Sequence, residues 1–213
     1  LSSELLPPPD DLPPPNVEIW PAGKPIVRVH NVKFGATEFN PGFGEGRFHP
    51  LNEAGGKTVA TLYGSNTLDG ALSETVFHDV PVSGALKLIR QSKLVPMLAT
   101  TISPLRDLTL IQLRGFGLKK LGVTRIDLID SDANQYGTTR RWAAALHLRS
   151  AADGLIWMSR QHDPSEAIVL FGDRVERSAF EVSDPPRSLY PPSPGWLEVL
   201  RAAESAGITI VFS

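Results

Sequence analysis

The sequence predicts an α+β fold, with mixed and antiparallel sheet and flanking helices. Apolar runs of strand length outnumber the helical patterns, and the two kinds do not alternate as βαβ units would. The glycine fingerprints of the common nucleotide folds also fail. Gly42-x-Gly44-x-Gly46 lacks a strand before it and a helix after it, and Gly115-x-Gly117 runs on into lysines. Gly55-Gly56-Lys57-Thr58 has the ending of a phosphate-binding P-loop, but Leu51 stands where the first glycine is required.

Taken in order, the first 25 residues hold Pro7-Pro8-Pro9, Pro13-Pro14-Pro15, Pro21 and Pro25, which favours extended backbone and keeps this stretch out of helices and central strands. We read residues 1–25 as an extended arm pinned by Ile19 and Trp20, and residues 26–213 as one folded domain. A PxxP-type ligand for a partner is the alternative use of the arm. Ile26 to His30 alternates as a strand does, and Gly35 to Gly56 is a loop long enough to be functional. Thr58 to Tyr63 is a strand, followed by a helix capped by Asn66 or Thr67 with Leu68, Ala71, Leu72 and Val76 along one stripe. Glu74 lies off that stripe.

Leu94 to Ile102 and Leu108 to Leu113 read as strands, the first bent or at an edge because of Pro96. A short turn or helix follows Gly117, and Arg125 to Ile129 reads as a strand. Thr138 or Thr139 opens a helix with Trp142, Ala145, Leu146 and Arg149 on one side. Leu155 to Met158 and Ala167 to Phe171 are strands. Ser193-Pro194 starts a last helix carrying Trp196, Leu197, Leu200 and Ala203, which Gly207 ends before a strand from Ile208 to Phe212.

Composition removes several classes of function. The chain of 213 residues has ample length for one core. It contains no cysteine, which excludes disulfides, zinc–thiolate sites and a cysteine nucleophile. Its net charge of −2 gives no whole-surface field for nucleic acid or anionic membrane. No apolar run reaches the length of a membrane span, so the expectation is a cytoplasmic protein. The five histidines have no metal-ligand spacing, so no metal is expected. There is no G-x-S-x-G elbow for a hydrolase, and Ser159, His162 and Asp163 read as turn residues.

What remains is a constellation. Arg47 in the Gly42-Phe43-Gly44-Glu45-Gly46 loop asks for an anion, Tyr63 ends a strand, Glu74 follows Ala71-Leu72-Ser73, and Ser159 ends the run Leu155-Ile156-Trp157-Met158. Each alone is better explained by an ion pair, a core contact, a solvated helix or a turn. Together they resemble the RES-domain family, named for its Arg, Glu and Ser, over roughly residues 26 to 175. The Arg28 strand, Asp153-Gly154-Leu155-Ile156 and Val169-Leu170-Phe171 agree with it.

That resemblance implies an ADP-ribosyltransferase-like fold and a toxin of a bacterial toxin–antitoxin pair. Such a toxin consumes NAD by breaking the nicotinamide–ribose bond, with inorganic phosphate as acceptor, or else by hydrolysis or transfer to a protein. NAD is then a substrate, no cofactor is needed, and the implied partner is an Xre-like helix-turn-helix antitoxin; an oligomer is left open. Glu74, Arg47 and Tyr63 become the catalytic candidates, and Arg28, Arg47, Tyr63 and Ser159 the substrate-binding ones. A carboxylate stabilises an oxocarbenium-like ribose, and an arginine holds phosphate by paired charged hydrogen bonds. The rivals are a metal-free glycosidase acting on a nucleoside and a non-catalytic protein-binding module built on the proline arm.

Overall fold

The computed structural model describes residues 5–53, 55–81, 84 and 86–212, so Ala54 of the long loop and the first four residues of the arm lie outside it. The elements in chain order are β1 (Val17–Trp20), β2 (Ile26–Asn31), β3 (Leu51–Asn52), β4 (Thr58–Val59), β5 (Thr61–Ser65), α1 (Leu68–Ser73), β6 (Leu88–Arg90), β7 (Met97–Pro104) and β8 (Leu108–Gln112), followed by α2 (Phe116–Leu121), α3 (Arg125–Leu128), α4 (Tyr136–Arg149), β9 (Gly154–Met158), β10 (Glu166–Phe171), β11 (Phe180–Ser188), α5 (Pro194–Ser205) and β12 (Thr209–Val211). This is the α+β class expected from the sequence.

Eight strands form one sheet in the order β1-β8-β9-β10-β5-β2-β7-β11. Its pairs are antiparallel except β8 with β9. Laid flat, eight strands about 4.8 Å apart would hold the edges more than 30 Å from each other. Instead one apolar cluster takes side chains from all eight, among them Trp20, Leu110, Ile156, Leu170, Ile102 and Phe180. The sheet therefore curls around that cluster. Alternation sends the intervening residues to the opposite face. There Leu155, Trp157, Val169 and Phe171 pack under α2, α3 and α4. Val29 and Ala99 pack under α1 and α5. The convex face thus carries two helical groups, and Glu74 and Tyr63 stand on the ground between them.

Several elements differ from the sequence expectation. Arg125 to Ile129 is helical, because Thr124 caps it by accepting the Asp127 N–H at 3.2 Å. Helix α4 begins at Tyr136, two residues before the expected threonines, after a 3₁₀ turn over Ala133–Gln135. Thr139 is inside it, and its hydroxyl donates to the Arg47 carbonyl. Helix α1 ends at Ser73, so Val76 is buried in the turn beyond it. The strand expected from Leu94 starts at Met97, after a 3₁₀ turn over Gln91–Leu94. Strands β6 and β11 were not expected. β11 carries Pro185 and Pro186 on an edge, where missing N–H groups are tolerated, and its register shifts around Asp184. The buried face of α5 is Val199, Ala202 and Ala203, with Leu197 exposed, while Ser193 and Gly207 cap it as expected.

The proline-rich segment is built into the domain. β1 covers the edge of β8, Trp20 is buried, Leu5 and Leu12 enter the core under α4, and the Trp142 indole N–H donates to the Leu6 carbonyl at 2.8 Å. Ile19, expected to pin the arm, is exposed. Deleting residues 1–25 should lower the thermal midpoint by about 5 °C or more, because three large apolar side chains are removed from the core and β8 becomes an open edge. A melting curve superimposable on that of the full chain would contradict this.

Candidate functional site

The site starts from the backbone of α1. Thr67 caps the helix by accepting the Gly70 N–H at 3.0 Å. Gly70 is required by proximity: a Cβ there would lie 2.2 Å from Ser65 Oγ and 2.5 Å from Ser165 Cβ, so only glycine lets α1 sit this close to β5 and the turn before β10. One turn later Glu74 ends the helix, its side chain about one-tenth exposed, facing the gap between the two helical groups. Its Oε1 accepts the Ser159 hydroxyl at 2.7 Å and the Arg160 N–H at 3.3 Å. Its Oε2 lies 4.0 Å from Arg47 Nη1. Arg47, buried, donates to the Ser131 carbonyl at 3.5 Å from Nη2, stands 5.7 Å over the Tyr136 ring, and has a buried Nε with no hydrogen-bond partner.

Arg47, Tyr63 and Glu74 line one cleft of about 370 Å³, together with Phe43, His49 and His78. A larger cavity, about 660 Å³, lies beneath the proline-rich segment and contains none of the constellation. Close to it, Glu53, His147 and Asp173 bring ligand-type atoms within 4.8 Å of one another, but His147 Nε2 is already hydrogen-bonded to Asp173 at 2.9 Å. The carboxylate and guanidinium of the constellation meet at the smaller cleft.

Ser159 and Arg28 stand differently from expectation. Ser159 is fully buried behind Glu74, with its hydroxyl proton committed to that carboxylate, so it orients Glu74 and does not line the cleft. It makes no serine–histidine pair: His162 Nδ1 bonds Ser165 Oγ at 2.7 Å and Asp163 pairs with Arg125. Arg28 was a candidate anion contact. Its guanidinium instead donates to the carbonyls of Tyr63 at 3.3 Å, Gly35 at 3.4 Å, Glu38 at 3.1 Å, and Ala36. Burial lowers its pKa to about 10, and it holds the long loop on the sheet. Its nitrogens are engaged by these carbonyls, and it does not line the cleft.

Tyr63 sits edge-on to Trp157, with ring centroids 6.2 Å apart, and its hydroxyl accepts the Phe48 N–H at 3.2 Å. Burial raises its pKa, so the phenol stays neutral. The structure adds a chain that the sequence did not disclose. Asp79 Oδ1 lies 3.0 Å from His78 Nδ1, and His78 Nε2 lies 3.0 Å from the Tyr136 hydroxyl, whose ring lies under Arg47. The hydrogen bond to His78 is the largest cause holding the Asp79 carboxyl below its usual range. The signal in the sequence was only a His-Asp pair one turn after Glu74.

His49 ties the Arg47 loop to β5: its Nδ1 meets Thr61 Oγ1 at 2.7 Å and its Nε2 the Phe43 carbonyl at 2.9 Å. His30 is likewise buried, against Thr100 at 2.8 Å. Burial lowers both pKa values below the ordinary 6.5. In the window just below 6.5 the unfolded chain binds more protons than the fold, so stability rises with pH there and falls on acidification. Urea midpoints should decline from pH 7 to pH 5, and His49→Gln should flatten part of that decline; an unaltered slope in that variant would remove His49 from the account.

The family comparison concerns the domain as a whole. The RES domain model matches residues 25–193, most of the chain. The chain belongs to the RES domain family. No protein of curated function matches it in sequence. In fold, this RES domain is similar to a chain of the M. tuberculosis MbcT–MbcA toxin–antitoxin complex, with a TM-score of 0.59 and 15% identity over 86% of this chain and 92% of that one. At that identity the likeness speaks for the fold. The RES match takes in Arg28, Arg47, Tyr63, Glu74 and Ser159, and ends before α5 and β12. No helix among the described residues is long and apolar enough to cross a membrane.

Proposed function

We propose that this RES domain is the toxin of a bacterial toxin–antitoxin pair and degrades NAD in the cytoplasm by cleaving the nicotinamide–ribose bond, with inorganic phosphate as acceptor. The observation that carries the reading is the pairing of a buried carboxylate and a buried guanidinium across one cleft: Glu74 Oε2 and Arg47 Nη1 at 4.0 Å, with Arg47 Nε still lacking a hydrogen-bond partner. Membership of the RES family and a fold shared with a chain of a toxin–antitoxin complex support it.

The reaction breaks the C–N bond, and the pair of electrons leaves with neutral nicotinamide. The ribose carbon becomes oxocarbenium-like, and a phosphate oxygen then forms the new C–O bond. Glu74 stabilises the developing positive charge, held in place by Ser159 and the Arg160 N–H. Arg47 takes a phosphate of the substrate from its place on the cleft wall. Tyr63, a neutral phenol, shapes the floor of the cleft. The chain's own residues need supply no proton to the leaving group, since nicotinamide departs uncharged.

Restraint comes from a separate Xre-like helix-turn-helix antitoxin that covers the cleft. Incubating the purified chain with NAD, with and without phosphate, tests the reading through its products. Nicotinamide with phosphorylated ADP-ribose is expected. Free ADP-ribose alone, at any phosphate concentration, would replace phosphorolysis by hydrolysis, and absence of nicotinamide release would overturn the assignment.

A further inference from the structure

At the mouth of the same cleft stands Phe43, two-thirds exposed. Exposure alone means little, since other large apolar side chains of this domain are as exposed. What separates Phe43 is how firmly its backbone is fixed. Its N–H donates to Asn40 Oδ1 at 2.8 Å, and its carbonyl accepts from Asn40 Nδ2 at 2.8 Å and from His49 Nε2 at 2.9 Å. Asn40 is itself bridged to Thr61 of β5 by two backbone hydrogen bonds, and His49 is bonded to the Thr61 hydroxyl. Every tether of this loop tip returns to one residue of the sheet.

Glycines on both sides make the presentation possible. Gly42 has φ +135° and Gly44 φ +81°, conformations that L side chains rarely adopt, so the chain turns sharply outward for one residue and back. The ring of Phe34, 6.4 Å away and tilted by 37°, supports one side of it. A loop tip that was merely solvent-exposed would not need this scaffolding.

We infer that Phe43 is a stacking platform for a planar heteroaromatic base of the substrate, a subsite that deepens the NAD reading and rests on it. A pinned aromatic ring stacks without the ordering cost of a mobile loop. Its π face suits both a neutral purine and the cationic pyridinium of nicotinamide. Stacking on an aromatic side chain tolerates either base, and its loss weakens binding by about tenfold.

The test compares four variants and two probes. Phe43→Ala should raise KM for NAD about tenfold, with kcat within about twofold. Phe43→Leu, which keeps apolar area without a π face, should behave like Phe43→Ala, and Phe43→Tyr should behave like the unaltered chain. Phe43→Trp gives a direct optical reading: its added fluorescence should be quenched on titration with AMP if adenine stacks there, or with nicotinamide mononucleotide if the leaving base does. A normal KM in Phe43→Ala, a normal KM in Phe43→Leu, or no quenching by either probe would overturn the inference. So would a Phe43→Ala variant that keeps its KM and loses only a protein partner, since the ring would then be a protein contact. Failure of the unaltered chain to turn over NAD would overturn the parent reading alone, and the AMP and mononucleotide titrations would still decide Phe43.

Discussion

Replacing Glu74 with Gln should cut the kcat of nicotinamide release by two to three orders of magnitude, about 2.7–4 kcal/mol, with KM for NAD changing far less. Glutamine is nearly isosteric, and its carbonyl oxygen can still accept the Ser159 hydroxyl and the Arg160 N–H that now meet Oε1. Helix α1 and its Thr67 cap should be undisturbed. What disappears is negative charge opposite the ribose at the moment it becomes cationic, an interaction absent from the bound ground state. The loss therefore belongs to turnover. Steady-state kinetics on protein of unchanged melting temperature is the measurement, and near-normal turnover in this variant would remove Glu74 from the catalytic role.

Replacing Arg28 with Ala should damage the fold instead of the chemistry. Four backbone carbonyls, those of Tyr63, Gly35, Ala36 and Glu38, would lose a buried cationic donor, and all but the exposed Gly35 are half-buried. Stranded buried acceptors cost about 1–3 kcal/mol each when fully orphaned. Allowing for relaxation, a destabilisation of about 3–5 kcal/mol is expected, read as a shift in the urea midpoint at constant m-value. The fraction that remains folded should bind NAD with ordinary affinity. A variant of native stability whose KM rose tenfold would restore Arg28 as a substrate contact. The two substitutions thus test separately the proposed action of Glu74 on the transition state and the hold of Arg28 on the loop.

The contrast between these two residues shows how far the sequence could be read. Arg47, in a glycine loop, and Arg28, on a strand, were both candidates for anion binding. The glycines around Arg47 were legible, and they do open the loop at Gly42 and Gly44. Nothing local to Arg28 revealed that the chain between Gly35 and Glu38 returns with its carbonyls aimed at the guanidinium. Ser159 was legible as a strand-end residue in the right constellation, but its partner lies 85 positions away. The His78–Tyr136 bond joins residues 58 apart, and neither was singled out. The misread segment Arg125 to Ile129 failed for a shorter-range reason: four residues are too few for periodicity to separate helix from strand, and the Thr124 cap decided it.

By itself the sequence determined what is short-range. Thr67 and Ser193 cap helices, Gly207 ends one, and continuous apolar runs make β9 and β10 strands buried on both faces. It also supplied the residue types of the cleft: one arginine in a glycine loop, one tyrosine, one glutamate. Only the tertiary structure decided which of the candidates face each other. That choice depends on the curl of the eight-stranded sheet, which sets α1 beside the end of β9 and brings the start of α4 over the Arg47 loop. Hydrogen bonds between side chains so far apart in sequence leave no periodic trace in it, because their geometry is fixed by packing and by nothing local to either partner.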